Sequence, residues 1–146
     1  MRHRCPLTLL LTLLLISCAG ESGPPIVISQ VRIFAPIPGS TTGVAYMMIT
    51  NNADQPVTIS SASSPQFDSV AMHETTIVDG VSRMRPLENV RLNAGDVVEF
   101  KSGGKHFMLS GPRRGTAPGL PVTIEIQHDN GLLIVSATMQ TRMPAE

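Results

Sequence analysis

The sequence predicts an all-β fold, a sandwich or barrel of about eight or nine short strands. Twelve proline and twelve glycine residues are spread over 146 positions, a density that interrupts long helices. Runs rich in β-branched and other apolar residues recur at intervals of roughly ten residues, and none follows the helical period. The predicted strands are 26–34, 43–50, 57–62, 68–78, 81–85, 96–100, 106–109, 122–127 and 132–138.

The first two predicted strands differ in their expected burial. Residues 26–34 (IVISQVRIF) are rich in β-branched side chains and end at the breaker sequence APIPG. Residues 43–50 (GVAYMMIT) form a nearly continuous apolar run, which is typical of a strand buried on both faces. We therefore expect Met47 and Met48 to lie in the core.

Two hairpins are predicted from turn residues. Asp79-Gly80 separates two extended runs, and this pair favours a type I′ turn, in which both central residues need a positive φ. With these residues at the centre of the turn, Val78 faces Val81. A second hairpin is expected around residues 129–131 (DNG), which join the last two predicted strands.

The first 17 residues resemble a bacterial lipoprotein signal peptide. A basic start is followed by the ten-residue apolar run 7–16, about 15 Å long as a helix and too short to cross a bilayer. The run ends before Cys18, as in the lipobox, where the cysteine becomes lipid-modified. This predicts a signal peptide over 1–17 and a periplasmic protein held to a bacterial membrane by lipid on Cys18. Ala19 slightly favours the outer membrane.

The rest of the chain is expected to form one domain. Residues 18–25 comprise the lipidated cysteine and a flexible tether, because the sequence AGESGPP is small, polar and ends in proline. The β domain is assigned to residues 26–140, followed by a short tail over 141–146. We expect a monomer.

Charge and cysteine content exclude several classes of protein. Without Arg2 and Arg4 of the leader, nine basic side chains remain against eleven acidic ones, so nucleic acid is not an expected partner. Both cysteines, Cys5 and Cys18, lie in the leader. The domain therefore has no disulfide, no thiolate metal site and no cysteine ligand of the blue-copper type. It also lacks the Gly-x-Ser-x-Gly motif of hydrolases, and we do not expect an enzyme.

Two histidine–methionine pairs are candidates for metal binding. His106 and Met108 are two residues apart in an extended segment, so they point to the same face. In the predicted hairpin Thr75 faces Met84, and His73 then lies diagonal to Met84 on one face, within reach of a common point. Thioether sulfur and neutral imidazole form a soft, uncharged donor set that favours Cu(I). The prediction is one Cu(I) per chain, bound by His73, Met84, His106 and Met108.

The spacing of these four residues resembles the H-x10-M-x21-H-x-M signature of the PCu(A)C family of periplasmic copper chaperones. The surroundings of the motif are similar too, with Asp79-Gly80-Val81 before Met84 and Gly103-Gly104 before His106. The resemblance implies a cupredoxin-like Greek-key β-barrel. It also implies delivery of Cu(I) toward the binuclear copper centre of cytochrome c oxidase, either to a subunit of the oxidase or through an assembly factor.

Other residues and other functions stay open at this point. Met72 is expected in the core, and His128 is expected to be exposed in a turn. Met139 and Met143 are assigned to the stretch that follows the last predicted strand, Glu74 to solvent, and Arg83 with Arg85 to a solvated face that could dock an acidic partner. The main alternative function is a metal-free, membrane-anchored β-sandwich lipoprotein acting as a binding or scaffold module. An electron-transfer cupredoxin and a hydrolase are further alternatives.

Overall fold

A computed structural model describes residues 25–141, which form ten β-strands and no helix. The all-β prediction is therefore confirmed. Nine strands match the predicted runs, and the tenth, a three-residue strand, had no recognisable pattern because it is too short. The strands are β1 (Ile26–Phe34), β2 (Thr42–Asn51), β3 (Val57–Ser63), β4 (Phe67–Val78), β5 (Val81–Pro86), β6 (Val90–Leu92), β7 (Val97–Phe100), β8 (Lys105–Pro112), β9 (Pro121–His128) and β10 (Gly131–Gln140).

The strands form one sheet that closes into a barrel. Their order is β5-β4-β8-β7-β2-β1-β10-β9-β3-β6, and a pairing between β3 and β4, with Ala62 opposite Val70, joins the two ends. Eight strands make the barrel, while β5 and β6 extend it at the edges. Most pairs are antiparallel, and β1–β10 and β7–β8 are parallel. Between residues 25 and 141 there is no helix of the length and apolarity needed to cross a membrane.

The inside of the barrel is filled by aliphatic and phenylalanine side chains. Phe100 and Phe107 stack there, with ring centroids 4.4 Å apart. Met47 and Met72 lie in the core as expected, but Met48 is only half-buried. The prediction for Met139 is wrong, because Met139 is buried in β10 and does not lie in a tail.

A buried asparagine closes one end of the barrel. The side-chain amide of Asn51, at the end of β2, donates hydrogen bonds to the carbonyls of Gln55 and Asn93, at 2.8 and 3.0 Å. Its side-chain oxygen accepts one from the Ala53 N–H at 3.1 Å. Ile26 pairs with Asn51, so the described chain begins at this same end.

The β4–β5 hairpin has the predicted turn and register. Asp79 and Gly80 have φ angles of 53° and 75°, as a type I′ turn requires. Val78 lies opposite Val81, and Thr75 lies opposite Met84. The turn sequence thus sets which side of the hairpin carries Met84.

Candidate metal site

Two histidines face each other across neighbouring strands. His73 in β4 and His106 in β8 are directly paired, and their rings stack with centroids 6.0 Å apart and planes 22° apart. Their neighbours Met72 and Phe107 are also paired and point into the core. Side chains alternate along a strand, so both imidazoles lie on the outer face of the sheet.

The two methionines lie on the same outer face. Met108 follows His106 by two residues and is paired with Ala71 on one side and Val44 on the other. Met84 lies on β5 opposite Thr75, with 55% of its surface exposed. The ligand face is defined here as the outer face of β5, β4 and β8 that carries His73, Met84, His106 and Met108.

An open pocket of about 260 Å³ lies on the ligand face. Its wall contains three of the four predicted ligands, and the fourth, His73, stacks on His106 beside it. The structure thus brings all four residues to one region, on strands rather than in loops. The residues that line the pocket are Thr42, Gly43, Val44, Tyr46, Thr75, Met84, Ser102, Gly103, His106 and Met108.

A backbone carbonyl orients His106. The Gly104 carbonyl lies 3.0 Å from His106 Nδ1 and also accepts a hydrogen bond from the Thr75 N–H at 3.0 Å. A carbonyl can only accept, so in this contact Nδ1 carries the proton. The lone pair of Nε2 is then available for a metal, as in most histidine metal sites.

The surroundings of His73 favour its neutral form. Burial lowers the pKa of His73 below its ordinary value of 6.5, the positive charge that His106 can carry lowers it further, and the Ala71 backbone partly opposes the shift. The Nδ1 atom is buried and makes no hydrogen bond of standard geometry. A neutral imidazole is the form that binds metal ions, so the environment of His73 favours ligation.

The donor set fits a soft monovalent ion. Within residues 25–141, no three His, Cys, Asp or Glu side chains are grouped closely enough to hold a metal. The thioethers of Met84 and Met108, on the same face as the two histidines, are further donors that could complete the coordination of a metal there. Two imidazoles and two thioethers carry no charge, a combination that suits Cu(I) better than a divalent ion.

Comparison with known proteins identifies the family. Residues 26–139 match the family model described as "Putative lipoprotein LpqE-like". The chain belongs to the LpqE-like family. A search of curated proteins found no significant match for this LpqE-like chain.

Solved structures similar to this LpqE-like protein include PCuAC domains. The copper-bound PCuAC domain from PmoF2 has a TM-score of 0.66 at 21% identity, covering 83% of this chain and 97% of that one. Apo-DR1885 from Deinococcus radiodurans has a TM-score of 0.60 at 27% identity and covers 98% of both chains. The CuI form of DR1885 has a TM-score of 0.62 at 26% identity, covering 86% of this chain and 85% of that one. The predicted PCu(A)C resemblance and cupredoxin-like fold are confirmed.

Glu74 of the LpqE-like protein is not simply solvated, contrary to the prediction. Its carboxylate accepts hydrogen bonds from Arg85 at 2.7 Å and Lys105 at 3.0 Å, and only 18% of the side chain is exposed. The hydrogen bond from Arg85 lowers the pKa of Glu74 the most, and the one from Lys105 lowers it further. The three residues are neighbours in the register of β5, β4 and β8. The register of the predicted hairpin already places Glu74 opposite Arg85.

The prediction for His128 is also wrong, since the side chain is buried rather than exposed. The turn consists of Asp129 and Asn130 only, which leaves His128 in β9 opposite Gly131 and next to Ile59 of β3. Its Nδ1 accepts a hydrogen bond from the Asn130 N–H at 3.3 Å. The side chain thus has a structural role away from the ligand face.

Two predicted positions cannot be compared with the structure. Cys18 and Met143 lie outside the described residues, as do the signal peptide, most of the tether and most of the tail. Their assignments remain predictions.

The pKa of His73 predicts how the metal-free protein responds to pH. In the unfolded chain His73 takes up a proton near pH 6.5, whereas in the folded protein it does so only at lower pH. The unfolded state therefore binds more protons in this window, and the free energy of unfolding should fall as the pH drops below 6.5. Urea denaturation at pH 7.5, 6.5 and 5.5 measures this loss. In a His73→Leu variant the loss should be smaller, and an equal loss would contradict the assignment.

The turn glycine predicts a second effect. Gly80→Val forces a β-branched residue into a left-handed conformation, which costs about 1–3 kcal/mol, although the space around the residue is open. Because this turn sets the position of Met84, we expect weaker Cu(I) binding as well as a lower melting temperature. Gly95→Val is the matched control, since Gly95 has a φ of 79°, open surroundings and a position away from the ligand face. Equal Cu(I) binding by the two variants would contradict the role of the turn.

Proposed function

We propose that this protein is an extracytoplasmic metallochaperone that carries one Cu(I) ion on His73, Met84, His106 and Met108. The observation that carries the proposal is the pairing of His73 with His106 beside a pocket walled by both methionines. Known copper-bound structures with this fold support it, namely the copper-bound PCuAC domain from PmoF2 and CuI-DR1885.

The openness of the site supports a carrier rather than a permanent holder of metal. Met84 is more than half exposed on an edge strand, and the pocket opens to solvent. Thioethers are weak individual donors, so a receiving protein can replace the ligands one at a time. Met84 is the first ligand that such a partner would meet, because His106 is buried. We accordingly propose no catalytic activity.

The position of the site is compatible with attachment to a membrane through Cys18. The pocket involves the beginning of β2, at Thr42–Val44, while the described chain begins beside Asn51 at the other end of that strand. Val44 and Asn51 are seven residues apart, which corresponds to about 23 Å. A lipid on Cys18, joined through the tether, would then hold the pocket away from the membrane surface. The LpqE-like family description supports a lipoprotein, and we propose a periplasmic location, with the outer membrane favoured by Ala19.

The proposed destination of the ion is the binuclear copper centre of cytochrome c oxidase. This step follows from the PCu(A)C resemblance, which implies delivery to an oxidase subunit or to an assembly factor. The recipient must offer ligands that compete with two imidazoles and two thioethers, so a site containing thiolate is a chemically suitable acceptor.

Cu(I) binding by the purified protein tests the proposal. Equilibrium dialysis under anaerobic, reducing conditions should give one Cu(I) per chain, because the four donors form one site. A His73→Leu, His106→Leu double variant serves as the control and should retain none. If the wild-type protein binds no Cu(I), a metal-free scaffold lipoprotein is the better description. A strong visible charge-transfer band with Cu(II) would instead favour an electron-transfer protein.

A further inference from the structure

The outer edge of β5 is open. Among residues 25–141, β5 pairs only with β4, and all six of its residues are exposed. An unpaired edge presents backbone N–H and C=O groups to which another extended chain can add. The sequence of β5 is Val81, Ser82, Arg83, Met84, Arg85 and Pro86.

The hairpin register shows which backbone groups face outward. The residues flanking a two-residue type I′ turn form a hydrogen-bonded pair, so Val81 bonds inward to Val78 and the direction then alternates along the strand. The hydrogen bond from the Leu87 N–H to the Met72 carbonyl, at 2.8 Å, agrees with this alternation. Ser82 and Met84 therefore direct both backbone groups outward. Pro86 is the next outward-facing residue, and it offers only its carbonyl because proline has no N–H.

The charge along this edge is positive. Arg83 is exposed and makes no ion pair with any residue from 25 to 141. Arg85 and Lys105 share the single carboxylate of Glu74. These four side chains thus leave an excess of two positive charges on the face opposite the ligand face. An added strand with acidic residues opposite Arg83 and Arg85 would complement that charge.

A second copy of the same chain fits this edge poorly. In an antiparallel pairing of β5 with itself, the arginines of the two copies would share one face at close range, and like charges opposite each other destabilise a sheet. The edge therefore favours a partner of different, acidic sequence.

We propose that the copper-receiving protein docks by adding an acidic extended segment to the outer edge of β5. In this arrangement a side chain of the partner lies opposite Met84, with β-carbons about 5 Å apart. A metal-binding side chain there could replace Met84 as the first step of transfer. The inference rests on the proposed function, and it specifies the partner as a strand with acidic residues on either side of a metal ligand.

A synthetic peptide tests the docking edge. The probe is an end-capped peptide, Thr-Thr-Glu-Met-Glu-Thr-Thr, added to the ¹⁵N-labelled metal-free protein, with a second peptide in which lysine replaces glutamate. We expect the largest amide shifts, and slower hydrogen exchange, at Ser82 and Met84 with the acidic peptide only. Shifts centred elsewhere, no binding, or equal binding of the lysine peptide would overturn the proposal. The same shifts on raising protein concentration without peptide would also overturn it, in favour of a second copy.

Two variants of Ser82 sharpen the test. Ser82→Pro removes an outward N–H without removing a bond to β4, and should weaken peptide binding about tenfold. Ser82→Ala keeps the N–H and should bind as the wild type does, so equal weakening by both variants contradicts edge pairing. Cu(I) loading of the wild type is measured separately by dialysis. If Cu(I) loads and the peptide does not bind, the docking inference fails while the proposed function stands. If no Cu(I) loads, the proposed function itself fails.

Discussion

A Met84→Leu, Met108→Leu double variant should lose Cu(I) affinity by more than about 100-fold while remaining folded. Loss of a residue that only supports a metal ligand costs roughly 10–100-fold, and here two direct ligands are removed. Two imidazoles would remain, without the soft sulfur donors that select Cu(I). Leucine has a volume similar to that of methionine, and Met84 is exposed, so the fold should tolerate both changes. Competition with a Cu(I) chelator of known affinity measures the loss.

The matched control for this experiment is Met48→Leu. Met48 lies in β2, is half-buried like many structural methionines, and does not line the pocket. The Met48→Leu variant should bind Cu(I) as tightly as the wild type and melt at nearly the same temperature. Unchanged Cu(I) affinity in the double variant would remove both thioethers from the site and defeat the assignment.

Phe107→Ala should lower the free energy of unfolding by about 3–5 kcal/mol. Phe107 is completely buried, stacks on Phe100 and is paired with Met72 across β4 and β8. Its removal leaves a cavity directly beneath the two ligands that flank it in sequence, His106 and Met108. We therefore expect weaker Cu(I) binding in addition to the loss of stability. Urea denaturation and chelator competition measure the two effects.

A second core variant separates the loss of stability from the effect on Cu(I) affinity. Ile126→Ala, in β9, also empties a fully buried position and should cost about 2–5 kcal/mol. It is away from the ligand face, so its Cu(I) affinity should match that of the wild type at temperatures where it is folded. If both variants bind Cu(I) equally well, the packing under β8 does not position the ligands.

Local signals in the sequence predicted the geometry of each half of the site separately. The Asp79-Gly80 turn determines the pairing of Thr75 with Met84, and the two-residue period of a strand places His106 and Met108 on one face. The meeting of the two halves was not predictable in this way. It depends on the pairing of β4 with β8 between residues 33 positions apart, His73 and His106, which only the resemblance to PCu(A)C proteins indicated.

The errors also have local physical causes. The turn contains only Asp129 and Asn130, two residues fewer than the stretch 128–131 between the predicted strands, so His128 lies in a buried strand rather than in an exposed turn. Glu74 was assigned to solvent from strand alternation alone. The hairpin register gives Arg85 as its neighbour, whereas Lys105 reaches it through the pairing of β4 with β8, which no local pattern reveals. The strand Val90–Leu92 is too short for a pattern to reveal it, and it forms through pairing with β3.

Copper K-edge X-ray absorption on the purified protein loaded with one equivalent of Cu(I) tests the central claim most directly. If His73, His106, Met84 and Met108 bind the ion together, the extended fine structure should show two nitrogen and two sulfur neighbours. The Met84→Leu, Met108→Leu variant should show no sulfur neighbour. A wild-type spectrum with only nitrogen or oxygen neighbours would contradict the mixed imidazole and thioether site.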